Sequence, residues 1–274
     1  MQVGDPSLRE QDAARVLNAA LDAGLTLIDT ARSYGLAEER IGRHLAARRD
    51  EFLLSTKVGY GVDGIADWTY DCVIAGVDAA RERLRTDVID IVHLHSCGVD
   101  TLIEGEVTRA LLRAAELGKL RVAAYSGDGE ALRCAAADGS FRGLQVSVNL
   151  CDQQGLSVLE DFRSRGIGTI AKRPLAGRPW APGSPPRDPV HREYWRRFAE
   201  LRAAIATQQA DWDALALRFA AYAPGVDCCI VGGTDIRHIL RNAQTAAAGP
   251  LPAPEYSALR DAFLRVGSQW PGQV

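Results

Sequence analysis

An α/β fold is what this sequence predicts: a single TIM-type (β/α)8 barrel over 1–274, with the first strand missing from the N-terminus. Three observations carry that expectation. Apolar, strand-like runs alternate with segments of helical periodicity along the whole chain. Three of those runs, LTLID at 25–29, EFLLSTK at 51–57 and VIDIVHLH at 88–95, close on the polar residues Asp29, Lys57 and His95. The length of 274 residues, 47% of them hydrophobic, suits one barrel of about 250 residues. A parallel barrel builds its active site from the C-terminal ends of its strands, so these polar ends are expected at one mouth.

Taken in order, the chain opens with MQVGDPSLREQDAARVL, a short loop leading directly into a helix over 9–23 with Ser7 as candidate N-cap. No strand precedes that helix. Either the translation start lies further upstream, or the barrel is gapped and closes with a loop or a neighbouring subunit, because an open sheet edge is a liability. Strand 25–29 follows, then helix 37–49, strand 51–57, helix 71–85, strand 88–95 and helix 104–117. RVAAYS at 121–126, helix 129–138, LQVSVN at 144–149, helix 155–165 and GTIAKRP at 168–174 continue the rhythm. Helices 190–207 and 211–222, the strand DCCIVGG at 227–233, and helices 235–247 and 255–266 complete it. Gly24, Gly118, Gly139 and Gly166 follow helical stretches, where a left-handed terminal position favours glycine. The one long irregular piece, 176–189, is rich in proline and glycine and is expected over the barrel mouth as a substrate loop.

Composition narrows the function classes. A formal charge of -3 gives no basic footprint for nucleic acid. No apolar run reaches the ~18 residues of a membrane span. The six cysteines, Cys72, Cys97, Cys134, Cys151, Cys228 and Cys229, lack zinc-ligand spacing, and no signal peptide precedes them, which fits a reducing cytoplasm. The expected partner is a small molecule, with oligomerisation left open.

Tyr34, five residues beyond Asp29, joins Lys57 and His95 as candidate chemistry. The segment IDTARSYGLAEERIG (28–42), with STK (55–57), IDIVHLH (89–95), GKLRVAAYSG (118–127), LQVSVN (144–149), GTIAKRPL (168–175) and IVGGTDIRHILRN (230–242), resembles the aldo-keto reductases in order and spacing. The likeness runs over nearly the whole chain. It implies a barrel enzyme that reduces an aldehyde or ketone, or oxidises an alcohol, using NADPH or NADH. Tyr34 would be the proton donor, Lys57 and Asp29 would tune it, and His95 would orient the carbonyl. The chemistry agrees: hydride arriving at a carbonyl leaves negative charge on oxygen, and a tyrosine beside an ammonium is a better acid.

By the same resemblance, Ser126 and Gln145 would hydrogen-bond the nicotinamide carboxamide. Two departures stand out. The usual Ser-Asn pair is Ser126-Gly127 here, and the customary stacking aromatic and its serine are replaced by Lys172 and Arg173, which could grip the pyrophosphate or stack a guanidinium on the ring. Pro174 and Leu175 keep the family pattern. Gly232, Gly233 and Thr234 run into a helix start suited to phosphate, and His238, Arg241 and Asn242 would lie beside the adenosine, favouring NADP(H) over NAD(H). Arg32, Tyr60, Trp68 and Trp180 are candidate substrate contacts, with no metal expected.

Other readings compete. His93 and His95 share a strand face, and an inward His-x-His can begin a metal site, as in barrel hydrolases that use zinc to activate water; the remaining histidines lie in helical segments, which argues against a metal-dependent hydrolase, and His93 reads better as a hydrogen-bonded interior residue. GYGVDG at 59–64 matches G-x-G-x-x-G, but DWTYD separates it from the next helix, so it reads as a flexible mouth loop rather than a dinucleotide turn. The altered cradle and missing strand also suit a non-catalytic NADP(H)-binding sensor or partner subunit.

Overall fold

The computed structural model describes residues 2–181, 183–205 and 211–273. The chain falls into two compact units, one of residues 1–144 with 232–243 and the other of 145–231 with 244–274. Its elements are α1 (Glu10–Asp22), β1 (Leu27–Asp29), α2 (Ala37–Leu45), β2 (Leu53–Val58), α3 (Tyr70–Leu84), β3 (Ile89–His95), α4 (Val99–Glu104), α5 (Glu106–Glu116), β4 (Leu120–Ser126) and α6 (Gly129–Asp138). They continue with β5 (Gly143–Ser147), α7 (Leu156–Ser164), β6 (Gly168–Lys172), α8 (Pro189–Ala204), α9 (Trp212–Ala221), β7 (Cys228–Cys229), α10 (Ile236–Ala247) and α11 (Ala253–Val266). Among the described residues seven strands stand in sequence order, β1 to β7, with helical returns, the pattern of a (β/α)8 barrel short of one strand.

In the first unit β1, β2, β3 and β4 pair in parallel, with Leu27 opposite Leu53, Ser55 opposite Ile91 and Ile91 opposite Val122. Strand alternation sends Leu54, Val92 and Ala123 to the opposite face from Ser55, and all three are buried. Gly76 of α3 packs over Val58, with room for a methyl group in ordinary contact with the valine side chain. The N-terminal ends of the strands carry structural ties: Asp90 accepts from the Leu54 amide and from Arg49. A 3-10 turn, Gln2–Gly4, precedes α1. Buried Arg40 holds this turn and the chain after it through the carbonyls of Val3, Asp5 and Leu8, at 2.6, 2.8 and 2.6 Å.

The second unit is organised around an aromatic cluster in which Tyr194 and Phe198 of α8, Phe219 of α9 and Phe263 of α11 are buried. Arg197 is fully buried among them. It donates to Glu193 at 2.8 Å, to the Cys151 carbonyl at 3.3 Å and to the Pro271 carbonyl at 2.8 Å, so the chain end is strapped to α8.

Several boundaries differ from the sequence expectation for physical reasons. Ser7 does not cap α1; it bonds to Asp5 in a turn, and Arg9 is the first flanking residue, with no side-chain cap. The helix expected over 104–117 begins earlier as α4 and breaks at Gly105, whose φ of 72° starts α5 afresh. Strand β5 stops at Ser147, and Asn149 and Asp152 form a small bridge beyond it. Strand β6 stops at Lys172 because Arg173 turns left-handed, at φ 57°. Strand β7 keeps only two residues. The piece 176–189 is irregular, as expected, but folds into successive turns closed by Arg178 on the Leu175 carbonyl and Ala181 on Arg178; its Pro182, and residues 206–207 of the expected helix 190–207, lie outside the described residues. No helix among the described residues is long and apolar enough to cross a membrane.

Glu10 accepts from His44 at 2.7 Å, Arg43 at 2.6 Å and Arg40 at 3.1 Å. The His44 contact is the largest influence, and with the two arginines it outweighs desolvation and brings the Glu10 carboxyl down to about 2. A carboxyl lowered on folding contributes stability above its unfolded value and loses it as pH falls. Glu10→Gln is therefore expected to melt earlier than the parent at pH 6, the gap closing as pH drops from about 4.5 towards 2, followed by circular dichroism melts across that range.

Candidate active site

Strand register places the polar ends. Asp29 stands opposite Ser55, Lys57 opposite His93, and His95 opposite Ser126, so successive strands carry the polar face upward two residues at a time. Residues two apart share a face, which aligns Ser55 with Lys57 and His93 with His95. Lys57 Nζ donates to Asp29 Oδ2 at 2.5 Å and to the Thr30 carbonyl at 2.7 Å. Both side chains of the ion pair are out of water, 2% exposed for Lys57 and 7% for Asp29. Ser55 Oγ donates to Asp29 Oδ1 at 2.8 Å and lies 3.1 Å from His93 Nε2. With the Ser55 proton spent on the carboxylate, the His93 contact is a donation from Nε2–H to the Ser55 oxygen. Burial pushes the Asp29 carboxyl up, but the Lys57 charge, His93 and the hydrogen bonds from Lys57 and Ser55 together outweigh it and hold it below the usual carboxylate value.

Tyr34 comes from the loop after β1. Its amide bonds back to the Ala31 carbonyl at 3.0 Å, and Gly4 lies against its own carbonyl so closely that a Cβ on Gly4 would stand 1.5 Å from the Tyr34 oxygen. The N-terminal turn held by Arg40 thus backs this loop. Lys57 Nζ sits 5.0 Å from the Tyr34 ring centroid, and the ring stands edge-on to His95 at 6.0 Å. Asp29, Tyr34, Lys57 and His95 are therefore brought together within the first unit.

The segment 59–68 is tied down at several points. Trp68 N–H bonds to the Gly59 carbonyl at 2.7 Å, Gly61 N–H to Asp67 Oδ1 at 2.9 Å, and Arg32 Nε to the Gly61 carbonyl at 3.2 Å. Gly59 has φ 131°, and a Cβ there would meet the Trp68 ring at 2.1 Å. Thr69 caps the Cys72 amide and opens α3, so GYGVDG is separated from its helix, as expected. Tyr60 packs against Trp68 at 5.5 Å, and its hydroxyl reaches His95 Nδ1 at 2.8 Å.

Among the candidate cofactor residues of this unit, Ser126 is buried at the end of β4. The absence of the family's asparagine at 127 has a steric cause: a Cβ on Gly127 would lie 2.5 Å from the Tyr125 hydroxyl and 2.6 Å from its ring. That ring is buried and its hydroxyl donates to the Cys97 carbonyl at 2.8 Å. Gly232 has open space where a side chain would project. His238 and Arg241 are exposed on α10, and Asn242 is half-buried. Arg237 is paired with Asp235 at 2.7 Å, and this pairing holds the Asp235 carboxyl at about 2.

In the second unit Gln145 is buried in β5 and Pro174 is buried after β6. Arg173 donates to the Gln273 carbonyl at 2.6 Å and to Ser147 at 3.4 Å, so its guanidinium is engaged by the chain end. Lys172, half-buried, closes β6 with its carbonyl on the Val148 amide, and Leu175 packs on the aromatic cluster. Trp180 is also part of that packing: its indole N–H donates to Asp213 at 2.7 Å and its ring meets Phe198 and Trp212. Among the described residues no group of three His, Cys, Asp or Glu is placed to hold a metal ion.

A family model described as the Aldo/keto reductase family matches residues 1–263. The chain belongs to the aldo/keto reductase family. This is a family of oxidoreductases that work with nicotinamide cofactors. Among relatives, the chain is 25% identical to a D-threo-aldose 1-dehydrogenase of a Pseudomonas species, over 94% of this chain and 90% of that one. It is 30% identical to an L-galactose dehydrogenase of Arabidopsis thaliana, over 64% of this chain, and spans 61% of that relative's length. The holo form of the aldo-keto reductase AKR11C1 from Bacillus halodurans superposes with a TM-score of 0.80, covering 93% of this chain and 88% of that one at 23% identity, a likeness of fold.

Sequence reasoning within this aldo/keto reductase passed over three contributors: Ser55, the Thr30 carbonyl, and the bond from Tyr60 to His95. Ser55 was visible, since it lies two residues before Lys57 on the same strand face. The other two depend on loop conformations that carry no periodic signal.

Removing one partner of the buried pair leaves the other uncompensated. Lys57→Met is expected to lower unfolding stability by about 3–5 kcal/mol, with Asp29→Asn/Lys57→Met recovering part of it, in urea denaturation. Gly127→Asn is expected to cost about 1–3 kcal/mol through overpacking against Tyr125, relieved in Tyr125→Ala/Gly127→Asn by the same assay.

Proposed function

We propose that this chain is a nicotinamide-nucleotide-dependent oxidoreductase that reduces an aldehyde or ketone to an alcohol, or runs the reverse, with Tyr34 as proton donor. The observation supporting it is the gathering of Lys57, Asp29 and His95 around the Tyr34 ring. Tyr34 protonates the carbonyl oxygen as negative charge develops there. Lys57, fixed by Asp29 and the Thr30 carbonyl, keeps positive charge beside the phenol and favours the phenolate left behind. His95 orients the carbonyl oxygen through a ring nitrogen. For alcohol oxidation Tyr34 takes the proton back.

When bound, the nicotinamide nucleotide supplies or accepts the hydride. In the first unit Ser126, Gly232, Gly233, Thr234, His238, Arg241 and Asn242 are the residues proposed to hold it, and in the second Gln145, Lys172, Arg173, Pro174 and Leu175. The buried Ser126 hydroxyl and the open space at Gly232 fit such a ligand. Basic His238 and Arg241 favour NADP(H) over NAD(H); the Asp235 carboxylate beside them, already paired with Arg237, acts in the opposite sense. Two relatives carry the names of sugar dehydrogenases, so small sugars and their aldehydes lead the substrate classes, with Arg32, Tyr60 and Trp68 as proposed contacts. The cytoplasm is the proposed setting.

Titration of NADPH and NADH into the parent and Tyr34→Phe, followed by tryptophan fluorescence, tests the reading together with turnover of an aldehyde and sugar panel. Both proteins are expected to bind nucleotide alike, while Tyr34→Phe loses about 10²–10⁴ in kcat. Failure of both nucleotides to bind would overturn the proposal.

A further inference from the structure

Tyr60 occupies a position that the proton-donor scheme does not use. Its hydroxyl lies 2.8 Å from His95 Nδ1 and 3.1 Å from Ser33 Oγ. The two rings are near parallel, 23° apart with centroids at 5.4 Å, an offset arrangement rather than a face-to-face one. Tyr60 also meets Trp68, with ring centroids 5.5 Å apart, and Trp68 is itself held against Gly59. Arg32 and Asp67 fix the backbone of the next residue, Gly61. The phenol is thus packed against two rings, with its oxygen 2.8 Å from one imidazole nitrogen.

A phenol has a single proton to give, and two acceptors lie within reach. An imidazole nitrogen lone pair accepts more strongly than a serine hydroxyl, and it is the nearer of the two. The exposed Ser33 hydroxyl can rotate and donate to the Tyr60 oxygen instead, so one consistent chain runs from Ser33 to Tyr60 to His95. Accepting at Nδ1 requires that nitrogen to be bare, which puts the ring proton on Nε2.

We propose that Tyr60 is the positioning residue for His95, donating to Nδ1 and holding the imidazole as the neutral Nε2–H tautomer that can donate to a carbonyl oxygen. The role rests on the reading of His95 as the group that orients the substrate. In the opposite tautomer Nε2 would be a bare acceptor facing an oxygen lone pair, and the orienting bond would be lost. Tyr60 therefore acts through His95, by selecting which nitrogen carries the proton.

The test reads the tautomer in the unliganded protein. Nitrogen-15 spectra of histidine-labelled parent, with His95→Gln to assign the resonance among the five histidines, are expected to show His95 as Nε2–H. Tyr60→Phe keeps the ring contacts with Trp68 and His95 and removes only the hydroxyl. It is expected to shift His95 toward a tautomer mixture and to lower kcat about tenfold, the scale of one neutral hydrogen bond, with nucleotide affinity unchanged. A parent His95 in the Nδ1–H or doubly protonated form overturns the proposal, as does Tyr60→Phe with an unaltered tautomer. Because the tautomer is read without substrate or cofactor, a failure here is separate from a failure of the reductase reading, which turnover by the parent decides.

Discussion

A lysine ammonium brought almost entirely out of water is the constraint around which the first unit is arranged. Its desolvation is costly unless the charge is both paired and hydrogen-bonded. Lys57 meets this with the Asp29 carboxylate and the Thr30 carbonyl, and Asp29 in turn takes the Ser55 hydroxyl, which leans on His93. Each of these groups stands on, or just past, the end of a different strand or at a register position shared with its neighbour. A slip of one residue in any pairing would send a charged side chain to the helix-covered face. Chemistry and strand register are therefore held by the same bonds.

Loops around this centre are ordered by a few groups that collect orphaned backbone carbonyls. Arg40 takes three of them from the N-terminal segment, and that segment backs the turn carrying Tyr34. Arg197 does comparable work in the second unit, where it takes the Cys151 and Pro271 carbonyls and lies 5.3 Å from the Trp270 ring centroid. A guanidinium suits this task because its donors fan out in one plane and it never loses its charge.

The departures from the family pattern are coupled to neighbours rather than isolated. Asparagine cannot follow Ser126 while the Tyr125 ring folds over position 127 and bonds to the Cys97 carbonyl. Arg173, standing in place of a smaller polar residue, is bonded to Ser147 and to the chain end at Gln273. Both changes have filled space and hydrogen bonds around them, so neither reads as decay of an abandoned site.

By itself the sequence determined the alternation of strands and helices, the seven-strand count, and the polar residues at strand ends, because burial leaves a periodic record along the chain. Asp29, Lys57 and His95 were legible for that reason, and Tyr34 through its spacing from Asp29. Strand ends were overestimated at β5 and β6, where a bridged and a left-handed residue stop the ladder without altering hydrophobicity, and at β7, which keeps two residues. Only the tertiary structure decided that Trp180 packs on Phe198 and Trp212 and that Tyr60 addresses Nδ1 of His95. Those contacts link residues some 18 to 35 positions apart through loops, and a loop's path is set by individual hydrogen bonds and close backbone approaches that no periodicity records.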